Sequence, residues 1–308
     1  MRVLITGVRG FCGRHLARYA RKQGASVVGI SRHTVANLEG IESVAVDVLD
    51  TTAVRELIAS GFDVVFHLAF AATPADRAGD AMIMTAIRGT EHLLDALRAR
   101  PTRLVLLSSA AVYGWASGPA PLTESVTPKP ATLYGALKLV QEALVSSYAA
   151  AFGLPVLTVR PFNLIGPGDR GAYVAGALAT QIVARERGEA RGAVRAGYLG
   201  SHRDFIDVRD AARACWLLAQ HGQEGAVYNV CSGRATPVSD LVEALRRHAA
   251  VPVEIVGQAD PGPFDIPYHC GDPSRLHQQT GWAPNLTLDQ SMRDLLDDLR
   301  RDDGARLN

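Results

Sequence analysis

The chain has 308 residues, 47% of them hydrophobic and 20% charged, with 32 Lys plus Arg against 31 Asp plus Glu and a formal net charge of +1. This is ordinary globular composition, sufficient for a substantial core in one large or two modest domains, and it excludes a disordered chain. The near-zero balance also argues against nucleic acid as a partner, because no Lys/Arg surplus is left to neutralise a phosphate backbone.

Met1-Arg2-Val3-Leu4-Ile5-Thr6-Gly7 runs straight into a strand pattern, without the charged and apolar regions of a secretory signal. No apolar run approaches the roughly 18 residues a bilayer span requires. The expectation is a cytoplasmic protein that makes no use of a membrane. Cys12, Cys215, Cys231 and Cys270 are too widely spaced for a Cys-x-x-Cys pair, and the nine His residues show no ligand spacing, so the thiols read as reduced and structural and no metal is assigned.

Short runs rich in Val, Leu and Ile at 2–5, 26–30, 42–46, 63–68, 103–108 and 155–160 alternate with helical patterns. Near-continuous apolar strands between helices predict an α/β protein, a Rossmann-type doubly wound parallel sheet covered on both faces. Gly24 stands where the first helix should end, Asp50 or Thr51 can cap the next, and 133–152 carries a long helical pattern. Beyond Pro161 the chain loosens into Gly- and Pro-rich loops around a helical stretch at 172–186. Further helices are expected at 207–220, at 238–249 with Thr236 as cap and Pro237 as first helical residue, and at 288–301, ahead of a frayed 302–308. The expected organisation is a dinucleotide-binding domain at 1–162, with 205–232 returning to it, and a smaller substrate-binding region from 163–204 and 233–308.

Thr6-Gly7-Val8-Arg9-Gly10-Phe11-Cys12-Gly13 follows the first strand and opens the first helix. Glycines at this spacing let the backbone approach a pyrophosphate, and the helix N-terminus offers free N–H groups to the anion. At the end of the second strand the chain reads Ser31-Arg32, with no acid for a ribose 2′-hydroxyl. A guanidinium there suits a 2′-phosphate, so NADP(H) is preferred and NAD(H) left open. Arg9 can serve the same phosphate or face solvent. Asp47, after the third strand and beside Val48, is placed for the adenine amino group or to cap the following turn.

Tyr134 and Lys138 lie four residues apart on one helical face, and Ser108-Ser109 ends the fifth strand, at the edge where open α/β sheets bind ligands. With these residues the sequence resembles the extended short-chain dehydrogenase/reductases, specifically their nucleotide-sugar branch. The resemblance spans nearly the whole chain. It rests on Thr-Gly-x-x-Gly-Phe-x-Gly at 6–13, His67-Leu68-Ala69, Ser108-Ser109-Ala110-Ala111-Val112-Tyr113-Gly114 and Tyr-x-x-x-Lys at 134–138. Arg160-Pro161-Phe162-Asn163, His202-Arg203-Asp204-Phe205 and Tyr228-Asn229-Val230 look most like GDP-4-keto-6-deoxymannose reductases.

By that resemblance Ser109, Tyr134 and Lys138 are catalytic. Gly7, Arg9, Gly10, Phe11, Gly13, Ser31, Arg32, Asp47, Val48, Leu68 and Ala69, with Tyr134 and Lys138, hold the cofactor, and Ser109, Asn163 and Arg203 face the substrate. The chemistry is consistent from below: a tyrosine, with an ordinary pKa near 10, is protonated at neutral pH and can give its proton to an alkoxide as a carbonyl is reduced.

Three departures matter. Relatives that dehydrate carry Asp-Glu after the catalytic hydroxyl, whereas Ala110-Ala111 cannot move protons, leaving reduction or 4-epimerisation of a nucleotide sugar. Gly262 stands where relatives hold a diphosphate with Arg, and Ala86 where they carry Asn. Among the aromatic residues, Tyr113, Trp115, Trp216 and Trp282 read as packing, and His67 as ordering a strand end. The Ala-rich helices at 85–98 and 133–152 offer a face for a homodimer or for internal packing.

Overall fold

The computed structural model describes residues 1–33, 40–70, 79–115, 118–262 and 266–301. Strand β1 (Arg2–Thr6) leads into helix α1 (Phe11–Lys22), followed by β2 (Ser26–Ser31), β3 (Glu42–Ala45), α2 (Thr51–Ala59) and β4 (Val64–His67). Helix α3 (Asp80–Met84) runs through a π-helical turn at Thr85–Gly89 into α4 (Thr90–Ala99), then come β5 (Arg103–Leu107) and a 3₁₀ turn at Ala110–Tyr113. After α5 (Leu133–Phe152), β6 (Val156–Pro161) and β7 (Asn163–Ile165), the chain forms α6 (Val174–Glu186), β8 (Val194–Tyr198), β9 (His202–Arg203) and β10 (Phe205–Asp207). It continues through α7 (Val208–His221), β11 (Val227–Val230), β12 (Thr236–Pro237), α8 (Val238–His248), β13 (Ile255–Gln258), β14 (Tyr268–His269), α9 (Ser274–Thr280) and α10 (Leu288–Arg301).

Seven parallel strands form the central sheet in the order β3-β2-β1-β4-β5-β6-β11. The inner strands β4 and β6 are buried along their whole length, which is the reason they read as apolar runs, whereas the edge strand β3 is only partly covered. Leu16, Ala17 and Ala20 of α1 pack with Ala211, Cys215 and Leu218 of α7 on one face, against Ile5, Phe66 and Val105. Ile58, Leu93, Leu97 and Val145 cover the other face against Leu4, Val65 and Leu104. A third core, with Leu178, Ile182, Leu241, Leu245, Leu295 and Leu296, joins α6, α8 and α10 away from the sheet. The chain steps outward from β1 to β3 and returns on the other side of β1 at β4, which opens a crevice at the strand ends.

Gly24, at φ 81°, follows the last turn of α1 as expected, and Asp50 caps α2 by accepting from Thr52 N–H and Ala53 N–H. Strand ends differ from the sequence reading by at most one residue. Thr236 and Pro237 do not begin α8 as cap and first residue: they pair antiparallel with β9, and Pro237 becomes the cap. The helix expected at 85–98 starts earlier and contains the π-helical turn. Tyr113, Trp216 and Trp282 are buried, but Trp115 is 47% exposed and does not pack as expected. Residues 302–308, expected to fray, lie outside the described residues.

Candidate active site

The glycine loop is shaped by exclusion. A Cβ on Gly13 would lie 2.4 Å from the Gly7 carbonyl oxygen, and one on Gly7 would press on the Ala69 backbone at 2.9 Å, with φ at +72° besides. Gly10 caps α1 without a side chain, and the first turn carries no acid, so its N–H groups are open to an anion. Phe11 leans on His15 and Tyr173 at 5.9 and 5.7 Å. This cradle fits a dinucleotide pyrophosphate.

Arg9 and Arg32 are both exposed, in loops at the ends of the paired strands β1 and β2. Ser31 donates to the His33 carbonyl at 2.5 Å. Asp47 accepts from Leu49 N–H at 3.0 Å, the turn-capping arrangement. Val48 is buried, its side chain filling the space over Gly89. Leu68 and Ala69 donate their N–H groups to Thr6 Oγ1 at 3.1 and 3.0 Å, which fixes the loop after β4 against the end of β1.

The approach of α5 is set by Gly135, where a Cβ would stand 2.5 Å from the Ala111 carbonyl oxygen. Without that Cβ the helix start, capped by Thr132 Oγ1 accepting from Gly135 N–H, seats against the turn that follows Ser109. The Tyr134 hydroxyl is thereby brought beside the Ser109 side chain. Burial pushes the Tyr134 phenol up, and the neighbouring Ser109 pulls it down. Lys138 is buried and donates to the Leu107 carbonyl at 2.8 Å and to Gln141 Oε1 at 3.0 Å. Burial lowers its ammonium to about 7, against the raising effect of Glu142. Phe70 meets Tyr134 edge to face at 5.2 Å and lies under Lys138 Nζ at 4.4 Å.

Ser108 turns away from this group and donates to Glu142 Oε1. Glu142 also receives a bidentate pair from Arg160, at 3.0 Å from Nε and 2.6 Å from Nη2. Arg160 continues to the Tyr113 hydroxyl at 3.0 Å, which donates to Asn229 Oδ1 at 2.7 Å. The ends of β5, β6 and β11 are thereby tied to α5. Sequence reading missed this network and Gln141, although both polar residues recur on the inward face of α5 at helical spacing from Lys138.

On the far side the picture differs. Asn163 Nδ2 donates to the Asp204 carbonyl at 2.9 Å, and Arg203 donates to the His202 carbonyl at 3.0 Å and to the Ile266 carbonyl. His269 links this region to the turn after Ser109: it pairs in register with Arg203, lies beside the Ala110 backbone and stands 5.1 Å from the Phe162 ring. Its imidazole, lowered to about 4 by burial and Arg203, was not singled out from the sequence. Gly262 is half-buried, and its neighbours 263–265 lie outside the described residues. Ala86 is buried with Met82 and Leu137. All four cysteines are free and buried. Among the described residues no cluster could hold a metal ion, and no helix is long and apolar enough to cross a membrane.

The NAD dependent epimerase/dehydratase family matches residues 3–231. The chain is 34% identical over 305 residues to GDP-6-deoxy-D-mannose reductase of Pseudomonas aeruginosa, covering 96% of each protein. It is 29% identical to dTDP-6-deoxy-L-talose 4-dehydrogenase (NAD(P)(+)) of Kitasatospora kifunensis, over 96% of this chain and 94% of that one. The solved structure of RMD from Pseudomonas aeruginosa complexed with NADPH superposes with a TM-score of 0.84 at 33% identity, covering 97% of this chain and 99% of that one. The glycine cradle, the parallel sheet and the Ser109–Tyr134 pair thus sit in a chain that belongs to the NAD dependent epimerase/dehydratase family.

Proposed function

We propose that the protein reduces the keto group of a nucleotide-linked 4-keto-6-deoxy sugar with NADPH. The observation that carries this reading is the Ser109–Tyr134 pair beside the glycine cradle, with the Lys138 ammonium on the same face of α5. The likeness to GDP-6-deoxy-D-mannose reductase and to RMD complexed with NADPH supports the substrate class and the cofactor. Gly7, Gly10, Phe11 and Gly13 hold the pyrophosphate, Arg9, Ser31 and Arg32 the 2′-phosphate side, Asp47 and Val48 the adenine, and Leu68 and Ala69 the inner edge. When bound, the nicotinamide supplies hydride to the carbonyl carbon.

The chain's residues manage the proton and the charge. Ser109 hydrogen-bonds the carbonyl oxygen, Tyr134 gives its phenolic proton to that oxygen as the C–O π pair becomes an alkoxide, and an alcohol results. Lys138 supplies the cation that stabilises the phenolate left behind. At an effective dielectric near 20, one charge about 4 Å away is worth about 4 kcal/mol. Ala110 and Ala111 have no proton to exchange, so water is not eliminated. Arg203 and Asn163 take the nucleotide side, Arg203 without the second guanidinium that Gly262 omits. Residues 1–162 with 205–232 act as the dinucleotide-binding unit, and 163–204 with 233–308 as the sugar-binding one. The protein works in the cytoplasm, and the exposed Met84, Leu133, Val140 and Phe152 support a homodimer through the 85–98 and 133–152 helices.

Stoichiometric loss of NADPH absorbance is expected with one of the GDP-, dTDP-, CDP- or UDP-linked 4-ketoses, and none with any of them would overturn the reading. The same three residues serve a 4-epimerase equally, because a tyrosine beside a lysine cation can take a proton as well as give one. Tightly retained oxidised cofactor and sugar interconversion without NADPH turnover would favour that alternative.

A further inference from the structure

Behind Lys138 lies a chain of buried polar groups that the reduction itself does not use. Gln141 Oε1 accepts from Lys138 Nζ at 3.0 Å, and Gln141 Nε2 donates to Thr90 Oγ1 at 2.9 Å. Thr90 Oγ1 is 3.0 Å from His67 Nε2, and His67 Nδ1 is 2.8 Å from Thr6 Oγ1. Thr6, His67, Thr90 and Gln141 are all buried, on β1, β4, α4 and α5.

The direction of every bond follows from donor counting. Thr6 Oγ1 already accepts the N–H groups of Leu68 and Ala69, so its one proton goes to His67 Nδ1. His67 is neutral, lowered to about 3 by burial and by Lys138, so its ring proton sits on Nε2 and is donated to Thr90. A flipped Gln141 amide would set its NH₂ against the Lys138 ammonium, donor facing donor, an arrangement that forfeits the bond and strands both groups. The amide therefore has one orientation, with oxygen toward Lys138. Ala86, one turn before Thr90, offers only a methyl group, and the carboxamide at Thr90 comes from α5 instead.

We propose that Gln141 is the positioning residue of Lys138: locked by the Thr90–His67–Thr6 chain, it gives the ammonium a fixed neutral acceptor, so that Lys138 stays charged and its charge stays uncancelled for Tyr134. This rests on the reading of Lys138 as the cation of the reduction. The other groups around Lys138 do not substitute for it. Glu142 is engaged by Arg160 and Ser108, Cys12 approaches from α1, His67 is neutral, and Phe70 offers a ring face. A carboxylate at 141 would hold Lys138 more strongly but neutralise it, whereas an apolar side chain would leave only the Leu107 carbonyl.

The test is the titration of the Lys138 ¹³Cε resonance in the full-length chain, with and without NADPH, the signal assigned by its disappearance in Lys138→Met. Gln141→Met should move the midpoint down by about one pH unit and Gln141→Glu up by about one or more, since a hydrogen bond or an opposite charge favours the ammonium. Turnover should fall about tenfold in both, the first for loss of the cation and the second for its cancellation. Midpoints unmoved in both variants, even with lowered thermal stability, would overturn the proposal and leave Gln141 a packing residue. If Lys138→Met or Tyr134→Phe still turns over normally, the reduction reading itself fails. If those two are inactive while the Gln141 titrations match the parent protein, only the positioning role fails.

Discussion

The two sides of the crevice are built on opposite principles. On the cofactor side the groups around Lys138 are closed into networks, from Thr6 through His67, Thr90 and Gln141 to Lys138, and from Ser108 through Glu142 and Arg160 to Tyr113 and Asn229. On the sugar side, His269 Nε2 and Ser201 Oγ are buried without a hydrogen-bond partner among the described residues. Buried polar groups are ordinarily satisfied, because an unmade bond costs about 1–3 kcal/mol. A fixed chemical step gains from a frozen constellation, whereas a surface that must receive a polar sugar keeps capacity in reserve.

The sharpest way to break the closed side is Glu142→Ala, which leaves Arg160 buried without its carboxylate. Losing one partner of such a pair costs about 3–5 kcal/mol, so the melting temperature should fall by many degrees, read by calorimetry. Gly135→Ala comes next. Its Cβ would stand 2.5 Å from the Ala111 carbonyl oxygen and push Tyr134 away from Ser109. A displacement of about 1 Å is enough to cost on the order of 100-fold in kcat, with NADPH affinity, measured by fluorescence, kept.

A paired substitution compares the two sides directly. His67→Phe strands Thr6 and Thr90 and should cost about 2 kcal/mol in urea unfolding, whereas His269→Phe removes an orphaned nitrogen and should cost less than about 1 kcal/mol. The acid dependence separates them from generic damage. His67 holds its proton at about 3 in the fold against 6.5 ordinarily, so between those values the unfolded chain binds more protons and stability falls as the pH falls. His67→Phe should flatten that part of the acid limb, and an unchanged slope would contradict the neutral imidazole. Arg32→Ala should weaken NADPH by about tenfold, as a charge-assisted phosphate bond is worth about 1.5 kcal/mol, and leave NADH unchanged.

What could be read in the sequence follows the same division. The glycine loop and the Tyr134/Lys138 pair are local patterns, legible because strand, turn and helix are contiguous in the chain. Strand β11, which joins the sheet beside β6, lies beyond the last strand run read in the sequence at 155–160. Gln141 was not legible as a partner of Lys138, since its meaning depends on residues 6, 67 and 90 arriving at one point from three other elements. Arg160 was recognised only as part of a motif, and its pairing with Glu142 needed β6 and α5 in register. His269 hides in a two-residue strand whose partner, Arg203, lies 66 positions earlier, and Trp115 misled because a large apolar residue in a turn can face solvent as readily as the core.

The central claim is that Tyr134 and its neighbours carry out a net reduction of a nucleotide-linked 4-ketose. It is tested most directly by incubating the protein with such a ketose and NADPH deuterated at the transferable C4 position, then locating the label by NMR. The account predicts one deuterium on C4 of the sugar for each NADPH consumed, with the transfer lost in Tyr134→Phe. A sugar product without the label, or interconversion with no NADPH consumed, would contradict it.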